Sequence, residues 1–254
     1  MKTSSRSWSH AFSFILLASV AFLTGCGGTA TTPLHDAVKL DDPAKVQAIL
    51  ASGKTNVDVK GDHGKTPLIF AGEVGAAKCA EVLLNAGANI EAKDEDGYTA
   101  LHWAAYNDQA DVATVLLDHH AAIDALESTH STPLDLAAYR GSTRVAKLLI
   151  DRGANVNIID ADRFNPLEYA VKRDRPDIFR MLIDKNADVN NVDKDGWTPL
   201  LYAANYGYLE MCKTLIEHGA DVNARGLDKA TPLSVARAGN YLEVARYLES
   251  KGAK

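Results

Sequence analysis

Apolar residues recur along the chain in a pattern with a period of 33 residues. A Leu is followed three residues later by an Ala, as in Leu134 and Ala137, and this spacing puts both side chains on one face of a helix. A second apolar stripe later in each unit, of the type i, i+1, i+4, i+5, predicts a second helix. The pattern therefore predicts seven pairs of helices, whose Leu residues stand at positions 34, 68, 101, 134, 167, 200 and 233.

Polar residues and glycines between the apolar stripes predict where each helix begins and ends. A Thr-Pro pair such as Thr198-Pro199 precedes most of the Leu residues, where Thr caps the helix and Pro fits its first position. Gly, or Asn186 in one unit, follows the second helix, where the chain takes a left-handed conformation. In the third unit His120 replaces this helix-ending glycine, and His130 replaces the glycine of the turn at the tip. We therefore expect local strain or altered geometry between the third and fourth units.

The period and the Thr-Pro-Leu-His signature resemble those of the ankyrin-repeat family, and the resemblance extends from Thr32 to Lys254. It implies an all-α solenoid of about seven helix-turn-helix repeats with projecting β-turn tips. Such repeats bury their apolar faces only against neighbouring repeats, so the two terminal repeats need polar outer faces. Lys45 and Glu249 replace apolar residues in the first and last units and are expected to provide those faces.

The residues before the repeats predict an export signal. Residues 1–10 carry two basic side chains and no acidic one, and residues 11–23 form an apolar run. The run has the length of a signal-peptide core and is too short to span a bilayer. It leads into Leu23-Thr24-Gly25-Cys26, which resembles the lipobox of bacterial lipoproteins.

The lipoprotein resemblance implies cleavage before Cys26 and acylation of that cysteine. In this family Gly27, rather than Asp, after the cysteine implies sorting to the outer membrane, facing the periplasm. The alternative is an ordinary secretory signal that happens to be followed by a cysteine. The predicted domains are a lipoprotein signal peptide (1–25), a lipidated tether (26–32) and an ankyrin-repeat domain (33–254).

Charge and motif content exclude several function classes. The formal net charge is −6, and an acidic chain repels nucleic-acid phosphate, so no nucleic-acid partner is predicted. Motifs of nucleotide, zinc and nucleophilic catalytic sites are absent from the sequence. The chain is therefore predicted not to be an enzyme and to have no catalytic residue, no metal and no cofactor. The signature histidines His35 and His102 are expected to form structural hydrogen bonds.

Two cysteines and two acidic pairs are predicted to have structural roles and no chemical one. Cys79 and Cys212 fall at apolar helix positions four repeats apart, which predicts that both are buried and that no disulfide joins them. The acidic pairs fall in the predicted tips and lack the ligand spacing of calcium loops. They are expected to be solvated, and examples are Asp160 with Asp162 and Asp193 with Asp195.

Aromatic residues are concentrated at positions that the ankyrin family exposes on its binding face. These positions lie two residues before, three after, and six or seven after the Pro of each signature. Tyr and Trp contribute binding energy well. The alternative for any one of these rings is that it covers the core and serves packing alone. The predicted partner-binding residues are Tyr98, Trp103, Tyr106, Tyr139, Phe164, Tyr169, Trp197, Tyr202 and Tyr206. Lys172 and Arg173 interrupt a series of acidic tip residues that would favour a basic partner: Asp94, Glu95, Asp96, Asp193 and Asp195.

The predicted function is a lipid-anchored, protein-binding module in the periplasm, monomeric when unbound. The sequence is consistent with two kinds of protein partner. The chain is either an immunity protein that neutralises a secreted toxic enzyme, or a scaffold or helper for a resident periplasmic stress-defence enzyme. A structural envelope spacer without a specific partner is the third alternative.

Overall fold

A computed structural model describes residues 31–254 of the chain, and in this part fourteen α-helices form seven pairs. The prediction of an all-α solenoid of helix pairs is confirmed. The first helices of the repeats are α1 Pro33–Lys39, α3 Pro67–Val74, α5 Ala100–Tyr106, α7 Pro133–Arg140, α9 Pro166–Lys172, α11 Pro199–Tyr206 and α13 Pro232–Ala238. The second helices are α2 Pro43–Ala51, α4 Ala77–Asn85, α6 Ala110–Asp118, α8 Thr143–Asp151, α10 Pro176–Asp184, α12 Leu209–Glu217 and α14 Leu242–Ser250.

The export signal and its lipidation site fall before this part of the chain. The predicted signal peptide, Cys26 and residues 27–30 of the predicted tether lie outside the described residues. From residue 31 onward, each helix is too short or too polar to cross a membrane.

The first helices begin as the sequence predicts. Thr198 caps α11 by accepting a hydrogen bond from the backbone N–H of Leu201 at 3.3 Å, and Pro199 occupies the first helical position. The Leu and Ala of every signature are buried: each Ala has no exposed surface, and the most exposed Leu is only 3% accessible. These seven Leu–Ala pairs form the centre of a continuous apolar core.

The repeats stack in chain order, first helix against first helix and second helix against second helix. The tips are joined in the same order by backbone hydrogen bonds, for example from Ala161 N to Thr129 O at 2.8 Å and from Leu227 N to Asp195 O at 2.8 Å. Residues at the same position of successive repeats are therefore neighbours. A surface built on the first helices and tips can consequently extend over several repeats.

The unusual third repeat keeps the geometry of the others. His120 and His130 both have φ of 66°, in the left-handed region that glycines occupy at the equivalent positions. His130 N donates to Glu127 O at 3.0 Å, much as Gly97 N donates to Asp94 O at 3.1 Å. The expectation of altered geometry is wrong, because the turn hydrogen bonds hold the backbone in place. Strain remains, since a non-glycine residue is disfavoured at positive φ.

Where a first helix ends in a glycine, a side chain of the next repeat packs closely against that glycine. Gly141 ends α7 with φ of 83°, and a Cβ built on it would lie 2.7 Å from Nε of Arg175. Glycine is therefore required there both for its backbone conformation and for the close approach of Arg175.

The termini of the stack and the cysteines agree with the sequence predictions. Lys45 and Glu249 are exposed, and Arg237 forms a 2.6 Å ion pair with Glu249. Cys79 and Cys212 are completely buried free thiols. Burial raises the pKa of each thiol to about 12, so both behave as small apolar residues.

Candidate protein-binding surface

The tips are fastened to the first helices by buried carboxylates. In the fifth repeat, Asp160 Oδ1 accepts backbone hydrogen bonds from Asp162 N and Phe164 N, each at 2.9 Å. The other oxygen, Oδ2, accepts a hydrogen bond from the hydroxyl of Tyr169, nine residues further along the chain. One carboxylate therefore closes the tip and ties it to α9.

The same arrangement occurs in the third and sixth repeats. Asp94 accepts from Nε1 of Trp103 at 2.8 Å, and Asp193 accepts from the hydroxyl of Tyr202. We call the three pairs Asp94–Trp103, Asp160–Tyr169 and Asp193–Tyr202 the Asp–aromatic clamps. Each clamp closes within a single repeat when the repeats are counted from the start of one tip to the start of the next.

The expectation that the tip acids are solvated is wrong for the clamp residues. Asp160 and Asp193 are only 7% and 4% exposed, whereas Asp195 is exposed to solvent and Asp162 is half-buried. The carboxylates can be buried because backbone N–H groups and an aromatic donor replace water around them. Burial raises the pKa of Asp160, and the hydrogen bond from Tyr169 opposes this shift.

The clamps also correct the expected exposure of four aromatic residues. Tyr169 and Tyr202 are 4% and 5% exposed, because their hydroxyls reach down to the clamp carboxylates. Tyr98 and Phe164, predicted to be exposed, are 9% and 8% exposed. Their rings pack against clamp rings: Tyr98 lies 5.6 Å from Trp103 and Phe164 lies 5.3 Å from Tyr169, measured between ring centroids.

The other five predicted residues remain accessible. Tyr206 is 38% exposed, and the remaining four are half-buried. Trp197 also has a packing role, because a Cβ built on Gly226 would lie 3.0 Å from its ring. The half-buried residues are Trp103, Tyr106, Tyr139 and Trp197.

The structure brings the nine predicted aromatics into two groups of touching rings. The first group lies in the third repeat, where Trp103 and Tyr106 are 5.9 Å apart. The second runs across the fourth, fifth and sixth repeats through centroid distances of 5.0 to 6.4 Å. The first group contains Tyr98, Trp103 and Tyr106, and the second contains Tyr139, Phe164, Tyr169, Trp197, Tyr202 and Tyr206.

Basic side chains cover several of these rings. The guanidinium carbon of Arg140 lies 4.4 Å from the ring centroid of Tyr106, and that of Arg173 lies 4.0 Å from Tyr139. Arg140 therefore lies on the first aromatic group, and the residue before it, Tyr139, belongs to the second. Arg140 is not among the residues singled out above, although the separation of 34 residues in both Tyr–Arg pairs is a readable signal in a 33-residue repeat.

Two lysines also pack on aromatic rings, and they sit closer to the clamps. Lys172 Nζ lies 3.9 Å from the ring centroid of Phe164 and 4.8 Å from that of Tyr202. Burial lowers the pKa of Lys172, while Asp193 and Glu168 act in the opposite direction. Lys65 Nζ lies 3.6 Å from the Trp103 ring and pairs with Glu73 at 2.7 Å.

The signature histidines form structural hydrogen bonds, as predicted. His102 is completely buried, with Nδ1 2.9 Å from Thr99 Oγ1 and Nε2 3.2 Å from Ser131 O. Burial lowers the pKa of His102 to about 4, so the ring is neutral at physiological pH and joins two adjacent repeats. His35 bridges in the same way, with Nε2 3.0 Å from Lys65 O.

Two buried acids replace this histidine in the fourth and fifth repeats. Asp135 Oδ2 accepts hydrogen bonds from the backbone N–H of Thr132 at 2.8 Å and from its hydroxyl at 2.7 Å. Glu168 Oε2 accepts from the side-chain amide of Asn191 at 2.5 Å. The second oxygen of each carboxyl is buried without a hydrogen-bond partner. Burial raises the pKa of both groups to about 8.

These acids belong to the packing of the stack and do not form a catalytic pair on a cleft. Each lies at the third position of its first helix, in a capping box with the residue that caps the helix. Residues 31–254 contain no cluster of three or more His, Cys, Asp or Glu side chains arranged to hold a metal ion.

Comparison with known proteins identifies the repeat. A family model described as "Ankyrin repeats (3 copies)" matches residues 16–94, 34–127, 122–193 and 167–254. Comparison with curated protein sequences gives no match.

Two solved structures have a similar fold. The crystal structure of the ankyrin repeat domain of Bcl-3, described as a unique member of the IkappaB protein family, superposes with a TM-score of 0.75 at 28% sequence identity. That match covers 86% of this chain and 100% of the other. The ankyrin repeat domain of human ASB11 has a TM-score of 0.75 and 25% identity, with coverage of 85% of this chain and 98% of that domain.

Proposed function

From the premise that the chain belongs to the ankyrin-repeat family and is a protein-binding module, we propose that it works in the bacterial periplasm as a lipid-anchored immunity protein. In this proposal Cys26 carries the anchor in the outer membrane, and the repeats bind and neutralise a toxic effector enzyme. The single observation that supports a specific binding role is the accessible row of aromatic and basic side chains on the first helices of repeats three to six.

The row consists of accessible residues at the C-terminal ends of α5, α7, α9 and α11, and we call it the first-helix row. Large rings with few rotatable bonds lose little conformational entropy on binding, and Tyr and Arg are enriched among residues that dominate interface energies. A row that crosses four repeats is also long enough to contact an extended segment of a partner. Its members are Tyr106, Asn107, Tyr139, Arg140, Lys172, Arg173, Asn205 and Tyr206.

Replacing Trp197 and Tyr206 together with Ala should weaken partner binding by roughly thirtyfold or more, the loss expected when a hot-spot aromatic is truncated. The partner is first captured by crosslinking the full chain in envelope extracts and identified by mass spectrometry. The dissociation constant and the thermal unfolding midpoint are then measured on the same samples, because Trp197 also packs on Gly226.

The matched control removes Tyr247 and Lys213, an aromatic and a basic residue on the second helices α14 and α12. This control should bind normally. If the control loses the partner while the Trp197/Tyr206 variant retains it, binding uses the second-helix side and the first-helix row is not the site.

The effect of binding on the partner separates the immunity role from its rivals. Titrating the captured enzyme with this chain should inhibit it in proportion to the complex formed. A helper of a resident enzyme would leave that activity unchanged or raise it, and an envelope spacer would yield no captured partner that the Trp197/Tyr206 variant releases. Either of these results would replace the immunity proposal.

The anchor is tested separately. Cys26→Ser should abolish incorporation of a fatty-acid label and leave an uncleaved precursor, because acylation in lipoproteins takes place on the cysteine sulfur. The readout is labelling together with fractionation of the envelope. If the unaltered protein takes up no label, or keeps residues 1–25, the lipoprotein assignment is wrong, whereas the binding proposal is unaffected.

A further inference from the structure

We propose that the segment of the partner bound by the first-helix row is acidic and extended, with carboxylates about three residues apart, and that Arg140 and Arg173 bind those carboxylates. This inference rests on the proposed function, because it names the chemistry of the partner at the same surface. It reverses the sequence-based expectation of a basic partner.

Charge along the first-helix row is of one sign. Among its eight residues, three are basic and none is acidic. Of the five acidic tip residues that suggested a basic partner, Asp94 and Asp193 are buried in clamps, whereas Glu95, Asp96 and Asp195 are exposed at the tips and do not belong to the row.

Asp108 and Asp174 follow the row directly at the ends of α5 and α9, and Asp108 pairs with Arg144. An anionic group that contacts the row itself therefore meets positive charge.

Arg140 and Arg173 are not neutralised by the part of the protein that the structure describes. Both are exposed, their guanidinium groups lie on the Tyr106 and Tyr139 rings, and neither forms an ion pair within residues 31–254. Two arginines of the second-helix side are paired by contrast: Arg144 lies 3.2 Å from a carboxylate oxygen of Asp108, and Arg152 lies 2.8 Å from one of Asp118.

Stacking leaves the binding groups of these two arginines available. A guanidinium that lies over a ring uses its face, while its N–H donors point outward in the guanidinium plane. The same ring fixes the side chain and reduces the entropy lost on binding. Arginine is the side chain best suited to hold a carboxylate with two parallel hydrogen bonds.

Lys172 lies in the same row but does not share this role. Its Nζ rests on the rings of Phe164 and Tyr202, and the acids Asp193 and Glu168 act on it from the neighbouring repeat and from its own helix. Its charge is thus partly balanced inside the protein. Within the first-helix row, Arg140 and Arg173 are the exposed cations.

The spacing of the repeats sets the spacing of the carboxylates. Packed helices are separated by about 8–10 Å. An extended chain in the polyproline II conformation advances about 3.1 Å per residue and returns every third side chain to the same face. Equivalent positions in adjacent repeats are therefore spanned by about three residues of an extended segment. Arg140 and Arg173 are 33 residues apart, one repeat, so they match acidic residues in the pattern acid-x-x-acid.

Fluorescein-labelled 15-residue peptides provide the probe. One has Glu at every third position, a second has Lys at those positions, and a third has the composition of the first with all Glu residues at one end. Binding of each to the full chain is followed by fluorescence anisotropy at low salt. The Glu-every-third peptide should bind most tightly, and its affinity should fall as salt is raised.

Arg140→Ala with Arg173→Ala should weaken binding of this peptide about tenfold or more, as expected for the loss of a charged hydrogen bond. The control Arg144→Ala with Arg152→Ala removes the same charge from the second-helix side and should have little effect. Thermal unfolding confirms that each variant is folded. The inference is overturned if the peptide fails to bind, if it binds no better than the other two peptides, or if the Arg140/Arg173 variant binds it normally.

The captured partner distinguishes this inference from the proposed function. If partner binding depends on Trp197 and Tyr206 but is unchanged in the Arg140/Arg173 variant, the binding surface stands and the acidic-segment inference fails. If neither variant alters partner binding, the proposed surface itself is wrong.

Discussion

Replacing Asp135 with Asn and Glu168 with Gln should remove much of the pH dependence of stability between pH 5 and 8. Both carboxyls are buried, and their pKa values are raised to about 8, whereas carboxyls in an unfolded chain have pKa values of about 4. Between these values the folded protein holds protons that the unfolded chain releases. The free energy of unfolding of the unaltered protein should therefore fall as pH rises, by ~1.4 kcal/mol per pH unit for each group.

Neighbouring charges strengthen or oppose the shift. Asp160 and Asp124 raise the pKa of Asp135 further. For Glu168, Asp193 raises the pKa and Lys172 lowers it, with hydrogen bonds from Asn165 and Asn191 also lowering it. An amide has the shape of the protonated carboxyl and no proton to lose, so the double variant should be more stable than the unaltered protein at pH 8.

The measurement is urea unfolding followed by circular dichroism from pH 5 to pH 9. A matched control, Glu217→Gln with Glu243→Gln, makes the same charge change at exposed sites on second helices and should keep the original pH dependence. The interpretation fails if the Asp135/Glu168 variant shows the same slope as the unaltered protein, or if the unaltered protein becomes more stable from pH 5 to pH 8.

Asp160→Ala should lower the free energy of unfolding by about 2–4 kcal/mol. The substitution removes the acceptor of the Phe164 and Asp162 N–H groups and of the Tyr169 hydroxyl. A buried donor left without a partner costs about 1–3 kcal/mol. Loss of the clamp should also expose backbone N–H groups of this tip to hydrogen exchange.

The matched control for this prediction is Asp162→Ala, two residues along the same tip. Asp162 makes a 2.9 Å ion pair with Lys194, and exposed pairs contribute at most about 1 kcal/mol. Equal unfolding midpoints for the two variants in urea would show that the clamp does not hold the tip.

The sequence predicts the fold because its repeated signal is local. Thr at the cap, Pro after it, and the Leu–Ala pair each favour the same helix at the same place in every unit, as with Thr198, Pro199, Leu200 and Ala203. Even the departures in the third repeat leave the backbone unchanged, because His120 and His130 adopt the left-handed conformation that glycine has elsewhere.

The binding surface is predicted less well. Aromatic residues are selected by their distance from the signature Pro, but the exposure of a ring also depends on whether a clamp Asp binds it. The position of Tyr169 in the repeat suggests an accessible ring, yet its hydroxyl is drawn inward by Asp160. Tyr206, by contrast, has no clamp Asp to which its hydroxyl could donate, and its ring is exposed. An Asp nine residues before an aromatic donor is the sequence signal that distinguishes the two cases.

Each clamp closes within one repeat, between residues that lie nine positions apart in the sequence. When a whole repeat is gained or lost, both residues of its Asp–aromatic clamp are therefore gained or lost together. The arginines that stack on a preceding repeat behave differently, because deletion of one unit changes which ring each of them meets. A change in the number of repeats therefore keeps each tip fastened to its helix, while it alters the pattern of charge that a ligand encounters.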